Sequence, residues 1–263
     1  MTGDAAALLR DLPDWLPVWA FAGMLVLARF GAAMAVLPGL GEAAVPGVIR
    51  AGLAFGITLL LLPAIAPLVP PVPEAGLRAA GMVAAEVLTG LWLGWLAQLI
   101  CLALPIAAQF IAFLLGISTV LQPDAELGPQ TTALSRLFEL AVPVLLLASG
   151  LYTLPLTALA GSYRLISPGS LLPAADGTAA SVRAVAQAFA LALQLASPFL
   201  LAGIVWHVAI GLMARLVPRL QIYFVAMPGQ IMGGLALLAL LSGATLSAWQ
   251  DVVRDTLAAL PGN

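Results

Sequence analysis

One helix face in this chain carries two polar side chains separated by glycines. Glu86, Gly90, Gly94 and Gln98 follow one another at intervals of four residues. This spacing places all four on one side of a helix. Glycines so arranged let two helix backbones approach closely. The pattern therefore predicts a close helix-helix contact with a carboxylate beside it.

Glu86 lies next to a long apolar run, which begins at residue 87. A carboxylate at membrane depth is costly, and it usually faces a cavity or a polar partner. The sequence alone leaves three interpretations open. The carboxylate hydrogen-bonds to a neighbouring subunit, takes part in a proton-linked function, or sits near a membrane interface.

Arg29 interrupts another apolar segment. Its guanidinium does not lose its proton in proteins, and an arginine at the centre of a membrane helix costs about 2.5–3.5 kcal/mol on insertion scales. We therefore expect Arg29 to have a carboxylate or carbonyl partner, on this chain or another, in preference to a bound substrate.

The chain offers little for catalysis, metal binding or nucleic-acid binding. His207 is the single histidine, and no cysteine or carboxylate stands at metal-ligand spacing from it. There is no nucleophile elbow, zinc-protease motif or phosphate-binding glycine loop. The formal charge is −2 and no basic cluster is present. We predict a protein that is not an enzyme, uses no cofactor or metal, and binds no nucleic acid.

The elements that must position these side chains are membrane helices. Only 8% of the residues are charged, 62% are hydrophobic, and no lysine occurs. Charge-free stretches cover 87–123, 140–163, 184–214 and 220–250, and each exceeds the roughly 20 residues that cross a bilayer as a helix. The acidic N-terminus lacks the positive region of a cleavable signal, so we predict that the first helix is retained.

These features predict an all-α integral membrane protein with about six kinked hydrophobic helices that form hairpins. The chain is predicted to be one helical membrane domain, 1–263, with polar loops at 122–139 and 162–183. The predicted spans are 15–37, 51–69, 80–121, 138–161, 184–214 and 220–248.

The third predicted span, 80–121, is too long for a bilayer. As a straight helix it would measure about 63 Å, roughly twice the hydrocarbon thickness. Pro105 removes a backbone donor near its middle, so we expect a hairpin or re-entrant turn near 101–107. At its end, Leu115, Gly116, Ile117, Ser118 and Thr119 form a small, partly polar run. This run is either a flexible constriction or an ordinary helix C-terminus.

The chain resembles the FliR family of the flagellar type III export apparatus, together with its injectisome counterpart SctT, over almost its whole length. The residues that carry the resemblance are Arg29, Pro38, Val45, Pro46, Arg50 with Ala51-Gly52-Leu53-Ala54, Glu86, Gly90, Gly94, Gln109, Gly116-Ile117-Ser118, Ser162-Tyr163, Pro168-Gly169, Pro198, Gly211 to Pro218, Ile222-Tyr223-Phe224 and Pro228. The last block, from Gly211 onward, is the most specific.

The resemblance implies a subunit of a hetero-oligomeric export gate in the bacterial inner membrane, within the flagellar basal body. Implied partners are FliP-like, FliQ-like and FlhB-like subunits, with unfolded export substrates passing through the gate. It implies that residues from Gln109 through Leu115, Gly116, Ile117, Ser118 and Thr119 to Gln122 form a plug that closes the pore. Arg29, Glu86 and Arg215 become inter-helix or inter-subunit pairing groups. Pro38, Pro46, Pro105 and Pro218 become shape-determining residues.

Two alternatives remain open from the sequence. The same fold could serve a virulence injectisome, which local motifs barely separate from the flagellar system. A proton-coupled secondary transporter could use Glu86 and His207, although paired interrupted helices, which mark many such carriers, are not evident.

Overall fold

The computed structural model describes residues 3–42, 45–116, 132–171, 174–216 and 222–263. Within these ranges the regular secondary structure is helical, with no strand. The α-helices are α1 (Gly3–Met34), α2 (Gly47–Ile65), α3 (Gly76–Cys101), α4 (Ala103–Leu114), α5 (Ala133–Ser149), α6 (Thr153–Gly161), α7 (Ala174–Leu216) and α8 (Ile222–Ala258). The predicted all-α fold class is confirmed.

Five helical segments in the described part of the chain are long and apolar enough to cross a membrane. They are Leu16–Met34, Gly47–Leu68, Gly76–Leu114, Ala175–Leu216 and Phe224–Ala258. A sixth is formed if α5 and the segment Thr153–Arg164, which meet at a bend of 74°, count as one span. The prediction of about six membrane helices agrees with this number.

Residues 101–107, all of them described, do not form the predicted hairpin. The segment Gly76–Leu114 continues as one candidate span, and the break between α3 and α4 is the single residue Leu102. Pro105 is the third residue of α4, where a backbone N–H would have no partner inside the helix. The proline therefore fits the first turn of a new helix and does not reverse the chain.

The chain divides into two compact units. The first unit comprises Met1–Gln98, Leu146–Val182 and Leu257–Asn263, and the second comprises Leu99–Leu145 and Arg183–Thr256. In the first unit α1 packs against α2, and α1 buries Leu25, Phe30 and Met34 almost completely. In the second unit a core cluster joins Ile111 and Leu115 to Ala196 and Phe199, so the end of α4 packs against α7.

Candidate functional site

A fully buried ion pair joins α1 to α3 in the first unit. Arg29 Nε donates to Glu86 Oε2 at 2.6 Å, and Arg29 Nη2 donates to Glu86 Oε1 at 3.0 Å. Both side chains are 0% exposed. Two parallel N–H···O bonds of this kind fix the relative orientation of the two groups as well as attracting them. The arginine and the carboxylate that the sequence singled out therefore neutralise each other within one chain.

A third stretch of chain, just after α6, completes the surroundings of Arg29. Arg29 Nη1 donates to Ser162 Oγ at 2.8 Å, and Nη2 also donates to the carbonyl oxygen of Ile166 at 3.4 Å. The guanidinium carbon lies 3.8 Å from the centroid of the Tyr163 ring, which is a cation–π distance. The positive charge of Arg29 is thus stabilised by a carboxylate, a hydroxyl, a carbonyl and an aromatic face.

A tight turn supplies one of the donors to Glu86. Gly169 N–H donates to Glu86 Oε1 at 2.6 Å, and the turn itself is closed by a bond from Ser170 N–H to the carbonyl oxygen of Ser167. Pro168 precedes Gly169, whose φ is +76°, as the central residues of a type II turn require. The Pro168-Gly169 turn therefore has a structural role, because it directs the Gly169 N–H toward the buried carboxylate of Glu86.

The cluster uses all the acceptor capacity of the carboxylate. Tyr163 Oη donates to Glu86 Oε2 at 3.4 Å, so Glu86 accepts four hydrogen bonds from Arg29, Tyr163 and Gly169. An ionised carboxylate offers about four lone-pair sites. A buried group with every site occupied, 0% exposed to solvent, is suited to fastening helices together.

Gly90 and Gly94 bring α1 and α3 close enough for this pairing. A Cβ atom on Gly90 would collide with the backbone carbonyl oxygen of Arg29. A Cβ on Gly94 would lie 3.0 Å from the carbonyl oxygen of Ala33, one turn further along α1. Both glycines thus lie directly against the α1 backbone, on the same face of α3 as Glu86.

The described members of the predicted plug lie in the second half of α4 and directly after it, in the second unit. Gln109 Oε1 accepts bonds from the backbone N–H and the hydroxyl of Thr132, at 3.2 and 3.1 Å. Leu115 is 5% exposed and lies in the core cluster with Phe199. Gly116 follows with φ +72°, a left-handed conformation typical of the residue after a helix. Ile117, Ser118 and Thr119 lie outside the described residues.

The remaining predicted residues are not brought together. Arg215 is exposed at the end of α7, and the described residues give it no ion pair. Pro38 is buried in the turn after α1, whereas Pro46 is exposed and caps the start of α2. Pro218 lies outside the described residues. His207 Nδ1 lies 2.6 Å from the carbonyl oxygen of Gly203 on its own helix, and the described residues form no cluster of histidine, cysteine and carboxylate side chains that could hold a metal ion.

Sequence reasoning gave no role in this cluster to Ser162, Tyr163 or Gly169. All three stand among the residues that carry the family resemblance, which was the available signal. Their meeting with Arg29 and Glu86 depends on the bend after α5 and on the turn at Pro168, and no residue spacing encodes that meeting. The contact of Arg29 with Ile166 could not be predicted from residue type, because it is made to a backbone carbonyl oxygen.

Comparison with known proteins gives a consistent result over nearly the whole chain. The model of the family described as "Bacterial export proteins, family 1" matches residues 20–256. The flagellar biosynthetic protein FliR of Caulobacter vibrioides is 32% identical over 237 residues, which cover 90% of this chain and 94% of that protein. The proteins of the same name from Bacillus subtilis and Escherichia coli are each 27% identical, covering 85% and 87% of this chain and 85% of each relative.

These matches confirm the resemblance that the residue pattern indicated. They run through α1, α3 and the turn after α6, which together build the Arg29–Glu86 cluster, and through α4, α7 and α8 of the second unit. The chain belongs to family 1 of the bacterial export proteins, the family of the flagellar biosynthetic protein FliR.

Proposed function

We propose that this chain is a non-enzymatic structural subunit of the flagellar protein-export apparatus, in the bacterial inner membrane. The observation that carries the proposal is the 32% identity to a flagellar biosynthetic protein FliR over 90% of the chain. The span-length apolar helices support a membrane location. The relatives named above are flagellar, which favours the flagellar system over a virulence injectisome.

The proposed assembly is hetero-oligomeric, with FliP-like, FliQ-like and FlhB-like subunits as partners. Much apolar helix surface is available for such contacts: only 6% of the most apolar window of α8 and 17% of that of α2 are buried within the chain. Arg215, exposed on α7, is a candidate for pairing with an acidic group of a neighbouring subunit.

The Arg29–Glu86 cluster has a structural role in this proposal. It joins α1, α3 and the segment after α6, so the first unit enters the assembly with this buried pair of charges already neutralised. The four acceptor sites of Glu86 are occupied within the chain, which gives no support to the proton-coupled transporter considered above.

The segment that begins at Gln109 and includes Leu115 and Gly116 is proposed to close the conduit until an unfolded substrate engages it. Two features support this: α4 ends at Leu114, and Gly116 then turns the chain in a left-handed conformation. Ile117, Ser118 and Thr119 belong to the same proposed plug through the family resemblance.

The test is complementation of a strain that lacks this gene. The wild-type chain should restore export of flagellar proteins and swimming. Gly116→Trp should alter export or raise the resting ion permeability of the membrane, while the chain still assembles. Failure of the wild-type chain to restore export would refute the proposal, and wild-type export together with wild-type permeability in Gly116→Trp would refute the plug.

A further inference from the structure

A side chain of α8 holds the C-terminal end of α4. Gln230 Nε2 donates to the carbonyl oxygen of Leu114 at 2.8 Å. Leu114 is the last residue of α4, and the last carbonyls of a helix have no partner within that helix. Gln230 therefore supplies, from another helix, a hydrogen bond that α4 itself cannot give to this carbonyl.

The apolar contacts around this bond are shaped by glycines. A Cβ atom on Gly234 would overlap the side chain of Leu115, and a Cβ on Gly203 of α7 would lie 3.5 Å from Leu114. The absence of these two side chains lets the end of α4 fit between α7 and α8. Gly116 comes next, and a Cβ there would lie 3.5 Å from the Gln230 amide nitrogen. The Gln230 amide thus bonds to Leu114 and lies close to Gly116, the residues on either side of Leu115.

This region is not tightly filled. A cavity of about 100 Å³ lies beside the bond, lined by Leu114, Phe199, Gly203, Trp206, Gln230 and Gly234 among others. The pocket is partly open to the surface and leaves space beside the contact, so the hydrogen bond helps to fix the position of the helix end. The space also gives the Leu114 and Leu115 side chains room to rearrange when the contact breaks.

We propose that Gln230 is a positioning residue for the conduit: its amide anchors the end of α4 to α8 and so keeps Leu115 and Gly116 in the closed arrangement. The inference rests on the proposed function, because it assumes that these two residues belong to the closing segment. A single neutral hydrogen bond is weak enough to be broken and re-formed during export. Its loss leaves the partly buried carbonyl of Leu114 without this donor, which is the more costly part.

The experiment replaces the donor without changing the size of the side chain. Gln230→Glu puts two acceptor oxygens where the amide N–H was, and Gln230→Met removes the donor without adding a charge. Gln194→Glu on α7 is the matched control, because Gln194 is exposed and the same chemical change there touches neither Leu114 nor Gly116. The readouts are resting ion permeability of cells that express the apparatus and the yield of assembled complex.

We expect both Gln230 variants to raise the resting permeability roughly tenfold, which corresponds to about 1.4 kcal/mol, with complex yield close to wild type. Gln194→Glu should match wild type in both readouts. Wild-type permeability in Gln230→Met, while Gly116→Trp alters the conduit, would overturn the role of Gln230 and leave the proposed function standing. Wild-type permeability and export in both Gln230→Met and Gly116→Trp would overturn the closing segment as well.

Discussion

Replacing Glu86 with leucine should destabilise the first unit severely, because the change removes half of a buried ion pair. Arg29 would keep its bonds to Ser162 and Ile166 but lose both contacts to a carboxylate at zero exposure. Removing one partner of a buried ion pair typically costs about 3–5 kcal/mol. Total free energies of unfolding are about 5–15 kcal/mol, so the variant should lose a large share of its stability.

The reciprocal changes separate the ion pair from simple loss of packing. Arg29→Met should cost a similar amount, since Glu86 would then be the unpaired charge. The double variant carries no buried charge at this position, and replacing both partners of such a pair by apolar groups is often nearly neutral. It still leaves the Gly169 N–H without its acceptor, Glu86, which costs about 1–3 kcal/mol of stability. The double variant should therefore be more stable than either single variant.

Thermal unfolding of the purified chain in mild detergent measures these differences. For a chain of this size 1 kcal/mol shifts the melting temperature by about 2–4 °C, so each single variant should melt roughly 10 °C below wild type. The control is Glu139→Leu, which removes a surface pair with Arg136 at 2.9 Å whose side chains are 42% and 45% exposed. A pair of that kind contributes about 0–1 kcal/mol, so its loss should shift melting by roughly 4 °C at most.

Two results would refute this reasoning. If Glu86→Leu melts within 2 °C of the Glu139→Leu control, the buried pair is not a significant source of stability. If the double variant melts lower than both single variants, the two side chains contribute independently and the charge is not what couples them.

Two further predictions compare glycines on the same helix. Gly90→Ala should lower the melting temperature, because overpacking against the Arg29 carbonyl costs about 1–3 kcal/mol. In Gly81→Ala the added methyl meets nothing within 4 Å, so this variant should gain up to about 1 kcal/mol of helix propensity. Equal melting temperatures of the two variants would contradict the close contact. Gly234→Ala should displace Leu115 and raise the resting ion permeability. The control is Gly233→Ala, whose added methyl meets nothing within 4 Å, and its permeability should match wild type. An equal rise in permeability in both variants would contradict the packing of Gly234 against Leu115.

The helix face around Glu86 could be found from the sequence because four-residue spacing is a property of one helix. The need of Arg29 for a partner could also be stated, since a buried guanidinium cannot be neutralised by losing its proton. The sequence could not say that each would be the other's partner. That fact depends on which helices meet, and residue types alone do not encode it.

The hairpin predicted within the third span is not formed, and the segment Gly76–Leu114 continues as one candidate span. A proline inside a long apolar run was expected to reverse the chain, but Pro105 falls in the first turn of α4, where it is tolerated. Two later helices were predicted too short, as 184–214 and 220–248, because apolar runs stop at Arg183 and Asp251. Both helices continue past these charges, since a helix leaving a membrane can carry polar residues without ending.

The most direct test of the central claim is the mass of the intact complex that this chain forms. A tagged chain, expressed with its genomic neighbours, would be purified in mild detergent and its complex weighed by native mass spectrometry. We predict a hetero-oligomer that contains this chain with FliP-like and FliQ-like subunits. Recovery of this chain only as a monomer or homodimer, with the neighbours expressed but absent, would contradict its assignment as a subunit of the export apparatus.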